Sequence, residues 1–249
     1  MQRKKESVEG VVVTSSQPLS AQARRKLEDI ATKHGVRVAG IYDRTWLANA
    51  LYRDSAWRER LTGVTGEPPV LVHRPLDLAD RTWGMLDLVG RRQELDDLRN
   101  GEGDVVLVGT PGSGKSRLLA ELDGAMFVER QHDPARLADD LRTFAPRLVV
   151  IDDAPLKDGS VVRDLRLIRH EERGTFRIVL AGWPSSVEQL QSALPRARVM
   201  TLDELEREQV GQLLRQAGIT RDVLVREILD QAEGRPGWAV TLVELVERG

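Results

Sequence analysis

The chain has no cysteine among its 249 residues, which excludes a disulfide framework and any thiolate metal site. No apolar run approaches the roughly 18 residues that a membrane-spanning helix needs. Residues 1–10 are charged and lack the apolar stretch of a secretory signal. Internal repeats and low-complexity tracts are absent, so a solenoid or repeat array is excluded. With 41% apolar and 31% charged residues, the composition is that of a soluble globular protein with one large or two modest domains. The expectation is a cytoplasmic protein with no membrane partner.

An excess of charge of one sign is also lacking, since 37 basic residues nearly balance 39 acidic ones for a net charge of −2. It is unevenly spread: residues 1–64 hold twelve Lys/Arg against seven Asp/Glu, an excess of +5 that leaves −7 for the remainder. For this first segment a solvated basic face is the stronger reading and a nucleic-acid partner the weaker one. The four histidines, His34, His73, His132 and His170, are scattered without ligand spacing and read as surface residues.

Lysine is the scarcest charged side chain. Of 37 basic residues only six are lysine. One of them, Lys115, stands in Gly109-Thr110-Pro111-Gly112-Ser113-Gly114-Lys115-Ser116, which is G-x-x-x-x-G-K-[ST], the phosphate-binding loop. A slim ammonium threads beside a triphosphate where a broad guanidinium fork does not. A chance match somewhere in a chain of this composition has odds of about 0.004, so the motif is read as a site. The flanks agree: Asp104–Val108 is an apolar, β-branched run that reads as a buried strand, and Arg117–Leu122 opens a helix. Glycines let backbone amides turn inward around phosphate oxygens, the helix start adds partial positive charge, and Ser116 offers a hydroxyl to Mg²⁺. The candidate nucleotide-binding set is therefore Gly109 to Ser116, with Arg117 directly behind it.

A second element fits the first. Leu148–Ile151 is an apolar strand ending in Asp152-Asp153. Asp152 would hold the Mg²⁺ shell through water, and Asp153 would orient or deprotonate an attacking water. Lys115, Asp152 and Asp153 are the candidate catalytic residues, and Ser116 and Asp152 the candidate metal ligands.

The rest of the pattern predicts three parts and a linker. Residues 1–64 read strand (11–14), helix capped by Ser20, strand (36–42) and one long helix carrying Trp46, Leu47, Trp57 and Leu61. This is a partial α/β segment with too few elements to stand alone. Residues 65–84 are a Pro/Gly-rich linker. Residues 85–201 are an α/β domain with strands near 104–109, 126–129, 147–152, 176–182 and 197–201. Helices near 114–123, 134–143, 161–173 and 185–194 alternate with them, implying a parallel sheet covered on both faces. Residues 202–249 turn all-helical, a small lid of three helices broken at Gly218 and Gly234. The tryptophans are core or interface anchors, and Trp183 and Trp238 fall near the expected cleft.

Four motifs in order carry a family resemblance. Leu88-Val89-Gly90-Arg91, followed by Glu94, Leu95 and Leu98, is similar to the adenine-side motif of STAND-class P-loop ATPases, the NACHT and NB-ARC signalling relatives of AAA+ ATPases. The phosphate loop, the Asp152-Asp153 pair, and Gly234-Arg235-Pro236, which resembles the G-x-P of the family's helical lid, complete it. The resemblance covers about residues 85–249. It implies ATP or ADP with Mg²⁺ held between nucleotide domain and lid. Val89, Gly90 and Arg91 would line the base side and Pro236 would cover the base. Nucleotide exchange would drive opening and homo-oligomerisation in prokaryotic signalling or antiviral defence. Two features depart from the family. Val179-Leu180-Ala181-Gly182-Trp183 lacks the polar or arginine sensor usual after the fourth strand, so hydrolysis is expected to be slow. A winged helix and a sensor region are expected after the lid, whereas the sequence ends at Gly249, so a fragment, a truncated product, or a remainder on another chain is expected.

The N-terminal segment loosely resembles the last two strand-helix units of a restriction-endonuclease-like domain over residues 10–64. No catalytic carboxylate or lysine of that fold is assigned here, and no nuclease activity is expected. Other readings of the nucleotide site stay open. They are a constitutive AAA+-like ATPase, a small-molecule kinase, or a remnant that binds nucleotide without hydrolysing it.

Overall fold

The computed structural model describes residues 10–17, 19, 21–73, 86–128 and 133–248. The predicted cap Ser20, most of the 65–84 linker, and His132 lie outside them. The described residues form two compact units, one before Pro69 and one holding Pro69–His73 with everything from Leu86 onward. None of the described helices is long and apolar enough to cross a membrane.

In the first unit, β1 (Gly10–Thr14) pairs in parallel with β2 (Arg37–Tyr42) across α1 (Ala21–Lys33). The single helix expected next is two, α2 (Arg44–Arg53) and α3 (Ser55–Thr62). Asp54 makes the break. Its carboxylate accepts from the Trp57 amide at 3.0 Å, so the side chain that could sit inside a long helix instead starts a new one. Asp43 caps α2 in the same way and also accepts from the Leu19 amide and the Arg24 guanidinium. It is the one fully buried side chain among the described residues of this unit; the apolar ones stay half-buried or exposed, Ile30 at 46% and Trp57 at 46% included. Tyr42, Trp46 and Trp57 pack on one another with ring centroids 4.4 and 6.5 Å apart.

The second unit is built on a six-stranded sheet. Its strands are β3 (Leu71–Val72), β4 (Val105–Gly109), β5 (Ala125–Val128), β6 (Leu148–Ile151), β7 (Arg177–Gly182) and β8 (Arg198–Leu202), in the spatial order β3-β5-β6-β7-β4-β8. Five strands are parallel, as the alternation of strands and helices implies. β3 is antiparallel to β5 and lies where composition alone places a linker. Tertiary contacts set it: Val70 and Leu71 are buried, and their amides donate to the Asp140 carboxylate on α6 (Pro134–Phe144). A strand behind Pro68-Pro69 suits a sheet edge, where a missing donor is tolerated.

β4 and β6, and β7 after Arg177, are unbroken apolar runs because both faces are covered, whereas edge strand β8 buries only Met200 and Leu202. Val106, Val108, Val149, Ile151, Ile178 and Leu180 pack on one side with α6, α7 (Ser160–Glu171) and α8 (Val187–Ala193). Val105, Leu107, Val150, Val179 and Ala181 pack on the other with α4 (Arg92–Asn100) and α5 (Lys115–Leu119). α5 is shorter than the sequence pattern suggests. It tightens into single turns through Leu122 and stops at Gly124, whose φ of +73° a side chain would resist.

Register decides where the loops emerge. Val108 lies opposite Gly182, Gly109 opposite Leu202, and Ile151 opposite Leu180. The connections leaving β4, β6, β7 and β8 therefore start from one carboxyl edge. After β8 come three helices, α9 (Arg207–Gln216), α10 (Asp222–Ala232) and α11 (Pro236–Arg248), within the same unit.

Candidate functional site

The loop after β4 wraps the end of its own lysine. Lys115 Nζ donates to the Gly109 carbonyl at 2.8 Å and the Thr110 carbonyl at 3.2 Å, and the side chain is 6% exposed. Burial pushes its ammonium below the usual lysine range, while the Asp152 and Asp153 carboxylates pull it back up. A buried cation with two carbonyl partners keeps strong potential in reserve for an anion. Gly112 and Gly114 take φ of +83° and +96°, which turns the loop back on itself, and no side chain caps α5. Its first amides are thus orphan donors at the loop.

Asp152 and Asp153 leave β6 beside this lysine. Burial raises the Asp152 carboxyl above the usual range and the Asp153 charge adds to this. The Ser116 hydroxyl, the Asp153 amide at 3.0 Å and Lys115 oppose it. Asp153 sits at φ +48°, a left-handed conformation held for a non-glycine residue, with its side chain exposed. No cluster of three His, Cys, Asp or Glu that could cage a metal occurs among the described residues. The donor set Ser116 plus Asp152 instead suits a hard cation such as Mg²⁺, which would take further oxygen ligands from water and phosphate. Ser116, Lys115, Asp152 and Asp153 are thus brought together at one edge.

The fold is that of a P-loop NTPase. Its glycine-loop strand β4 lies one strand away from acidic β6, with β7 between them, and the phosphate-loop sequence leaves β4 at the carboxyl edge.

The candidate adenine-side residues have distinct surroundings. Val89 is buried, and Gly90 is exposed at φ +68° with the Gln209 side chain so near that a Cβ would fall 2.7 Å from it. Arg91 is 5% exposed, and its guanidinium points to protein groups: Glu94 Oε1 at 3.0 Å, the Ser113 carbonyl at 3.3 Å and the Asp203 carbonyl. Arg117 turns to Glu121 and donates to the Leu86 carbonyl at 2.7 Å. Pro236 is buried, with its ring 3.4 Å from where a Gly114 Cβ would stand, and Trp238 packs against Gly112 under the Arg235 cation. Trp183 is half-buried at the end of β7, its amide taken by Ser186 Oγ at 3.1 Å. Pro111 is the exposed tip of the loop. His34, His73 and His170 are exposed.

Several contacting residues were not singled out from the sequence. Glu204 accepts from the Thr110 hydroxyl at 3.3 Å, Gln209 stands over Gly90, and Gly237 donates its amide to the Gly112 carbonyl at 2.8 Å. The signal for Gly237 is its place directly after the G-x-P motif; Glu204 and Gln209 carry none. A cavity of about 220 Å³ lined by Leu141, Ala145, Ile168 and Phe176 lies at the opposite, amino edge of β6 and β7, away from these groups.

No protein-family model and no curated protein matches the chain. Among solved structures it is similar to a threonine-to-valine variant of Thermotoga maritima RuvB, with a TM-score of 0.47, 20% identity, and 64% of this chain and 62% of that chain covered. It is also similar to a lysine-to-arginine mutant of the same Thermotoga maritima protein, with a TM-score of 0.43, 15% identity, and 64% and 63% covered. The chain thus spans less than two thirds of either RuvB chain.

Proposed function

We propose that the chain is an ATP-binding switch NTPase of the STAND type, with slow ATP hydrolysis, acting in the cytoplasm in prokaryotic signalling or antiviral defence. The observation that carries the reading is the lid. The first turn of α11, Pro236 to Trp238, lies directly on the phosphate loop at Gly112 and Gly114. A nucleotide whose phosphates fill that loop would touch both parts, and it shifts the lid only through such differential contacts. Domain limits of 85–201 for the nucleotide domain and 202–249 for the lid follow from this reading. Residues 1–64 would be a restriction-endonuclease-like remnant, and the 65–84 linker expected after it is shortened by β3, which belongs to the second unit's sheet. That assignment is supported by the parallel β1-α1-β2 unit and adds no cutting chemistry. A homo-oligomer would form on activation.

In this scheme Lys115 exchanges its carbonyl partners for β- and γ-phosphate oxygens, and the loop and α5 amides hold the remaining oxygens. Ser116 and Asp152 would hold Mg²⁺, which supplies charge neutralisation between the phosphates when bound. Asp153, exposed beside Asp152, orients the attacking water or takes its proton. Gly182-Trp183 at the end of β7 offers no arginine or carboxamide side chain to the γ-phosphate, which supports slow turnover. A constitutive AAA+-like ATPase or a small-molecule kinase would turn over rapidly, and a remnant would bind without turnover.

Purification followed by nucleotide analysis and calorimetry separates these. Retained ADP, tight Mg²⁺-dependent binding and slow hydrolysis are expected. Fast multiple-turnover hydrolysis with no partner would overturn the switch reading, and no heat with adenine or guanine nucleotides would overturn the site.

A further inference from the structure

Resting on that reading, we infer that the lid grips the phosphate loop itself, and that Gly237 is a positioning residue that sets how firmly phosphate is held. The loop's outward-facing groups are tied one after another. The Thr110 hydroxyl donates to Glu204 at 3.3 Å, the Gly112 carbonyl accepts from the Gly237 amide at 2.8 Å, and the Ser113 carbonyl accepts from Arg91 at 3.3 Å. Arg91 also holds the Asp203 carbonyl. Asp203 and Glu204 form the connection from β8 to the lid, and Gly237 lies in the first turn of α11. The lid and its hinge thus supply most of what holds the loop from outside.

The contact at Gly112 leaves no room for side chains on either partner. A Cβ on Gly237 would stand 2.9 Å from Gly112 Cα and 3.1 Å from its oxygen. A Cβ on Gly112 would stand 2.7 Å from Trp238 Cδ1, on a backbone already at φ +83°. The hinge is equally close: a Cβ on Gly234 would fall 2.6 Å from the Leu205 carbonyl, and the Leu205 amide donates to Gly234 at 2.8 Å. Three glycines therefore let two pieces of backbone meet where phosphate is to be held.

The physical consequence follows from peptide planarity. A loop presents amides to an anion by turning carbonyls outward, and those carbonyls need donors. Gly237 supplies one. Lid docking and phosphate binding then favour each other, and the coupling is reciprocal. When α11 lifts, the Gly112 carbonyl loses its donor and Trp238 leaves the loop, so the grip on phosphate loosens from outside the nucleotide.

The test uses the full chain with Mg²⁺ and a fluorescent ADP analogue. Release is followed by displacement with unlabelled ADP, and hydrogen exchange of peptides over 234–243 is measured with and without ADP. The parent chain is expected to gain protection in the first turn of α11 when ADP binds. Gly237→Ala is expected to release the analogue about tenfold faster and to lose that gain. Trp238→Ala, at a side chain 45% exposed and outside the core, moves both readouts in the same direction and decides the matter if Gly237→Ala fails to fold. Leu245→Ala, at an exposed position near the other end of α11, leaves both unchanged. Folded Gly237→Ala and Trp238→Ala proteins with parental release rates and parental ADP-dependent protection would overturn the inference. A parent chain that binds no nucleotide would overturn the proposed function itself, and the coupling with it.

Discussion

Replacing Arg91 by alanine separates two roles for a residue that the motif resemblance would put beside adenine. The side chain is 5% exposed and satisfies three acceptors: Glu94 Oε1, the Ser113 carbonyl and the Asp203 carbonyl. Its Nε has no partner in the structure, so the guanidinium is already imperfectly satisfied. Truncation leaves two backbone carbonyls without their donor and a carboxylate, 25% exposed, without its cation. Removing one partner of such a buried charged network costs about 3–5 kcal/mol. In a unit of this size that lowers Tm by on the order of 10 °C. Differential scanning calorimetry of the nucleotide-free protein measures it directly. Arg91→Lys, which brings charge without the fork, should recover less than half of the loss. If Arg91→Ala leaves the Tm of nucleotide-free protein within about 2 °C while weakening ATP binding, the guanidinium works on nucleotide and the carbonyl ties are incidental.

Other changes have equally definite outcomes. Lys115→Ala should weaken nucleotide binding at least about 100-fold by calorimetry while the circular dichroism of the sheet is kept, since the charge-assisted contact is lost and a buried cation is removed. Asp152 has a raised carboxyl pKa, so the stability it contributes is present below its unfolded value of 3.8 and is lost as pH rises through the folded value. Asp152→Asn should therefore raise the Tm of nucleotide-free protein at pH 7 and lower Mg²⁺-dependent hydrolysis about 100-fold. A fall in Tm would show that its ionised form is stabilising. Leu165→Ala, at a fully buried position on α7, should cost about 2–5 kcal/mol in urea titration without changing the ATP affinity of the folded fraction.

What the sequence made legible follows from which atoms carry the information. β4, β6 and β7 are plain in the sequence because strands covered on both faces must be apolar at every position. The phosphate loop is plain because its backbone turn requires glycine at Gly112 and Gly114. The division into α2 and α3 is hidden, since Asp54 is compatible with a helix interior until its side chain turns back to the Trp57 amide. β3 is hidden because two residues carry no periodicity, and Asp140, far along the chain, fixes them. The same limit applies at the site. Arg91, Glu204 and Gly237 meet backbone carbonyls or a hydroxyl on the loop, and a carbonyl has the same signature in every residue. Motif spacing brings Lys115, Ser116 and Asp152 to one edge, but the outer side of the loop is set by the path of the chain through Glu204 and the first turn of α11, which no spacing encodes.

Trp238 gives the molecule an optical reporter at a useful place. Its indole rests on Gly112 with the Arg235 guanidinium 5.4 Å from the ring centre. Indole emission responds to nearby charge and to solvent, so under the proposed function an anion arriving in the loop, or α11 leaving it, would change the brightness and colour of this side chain. With the other four tryptophans replaced by phenylalanine, the proposed movement of α11 would be readable in ultraviolet light on an unlabelled protein.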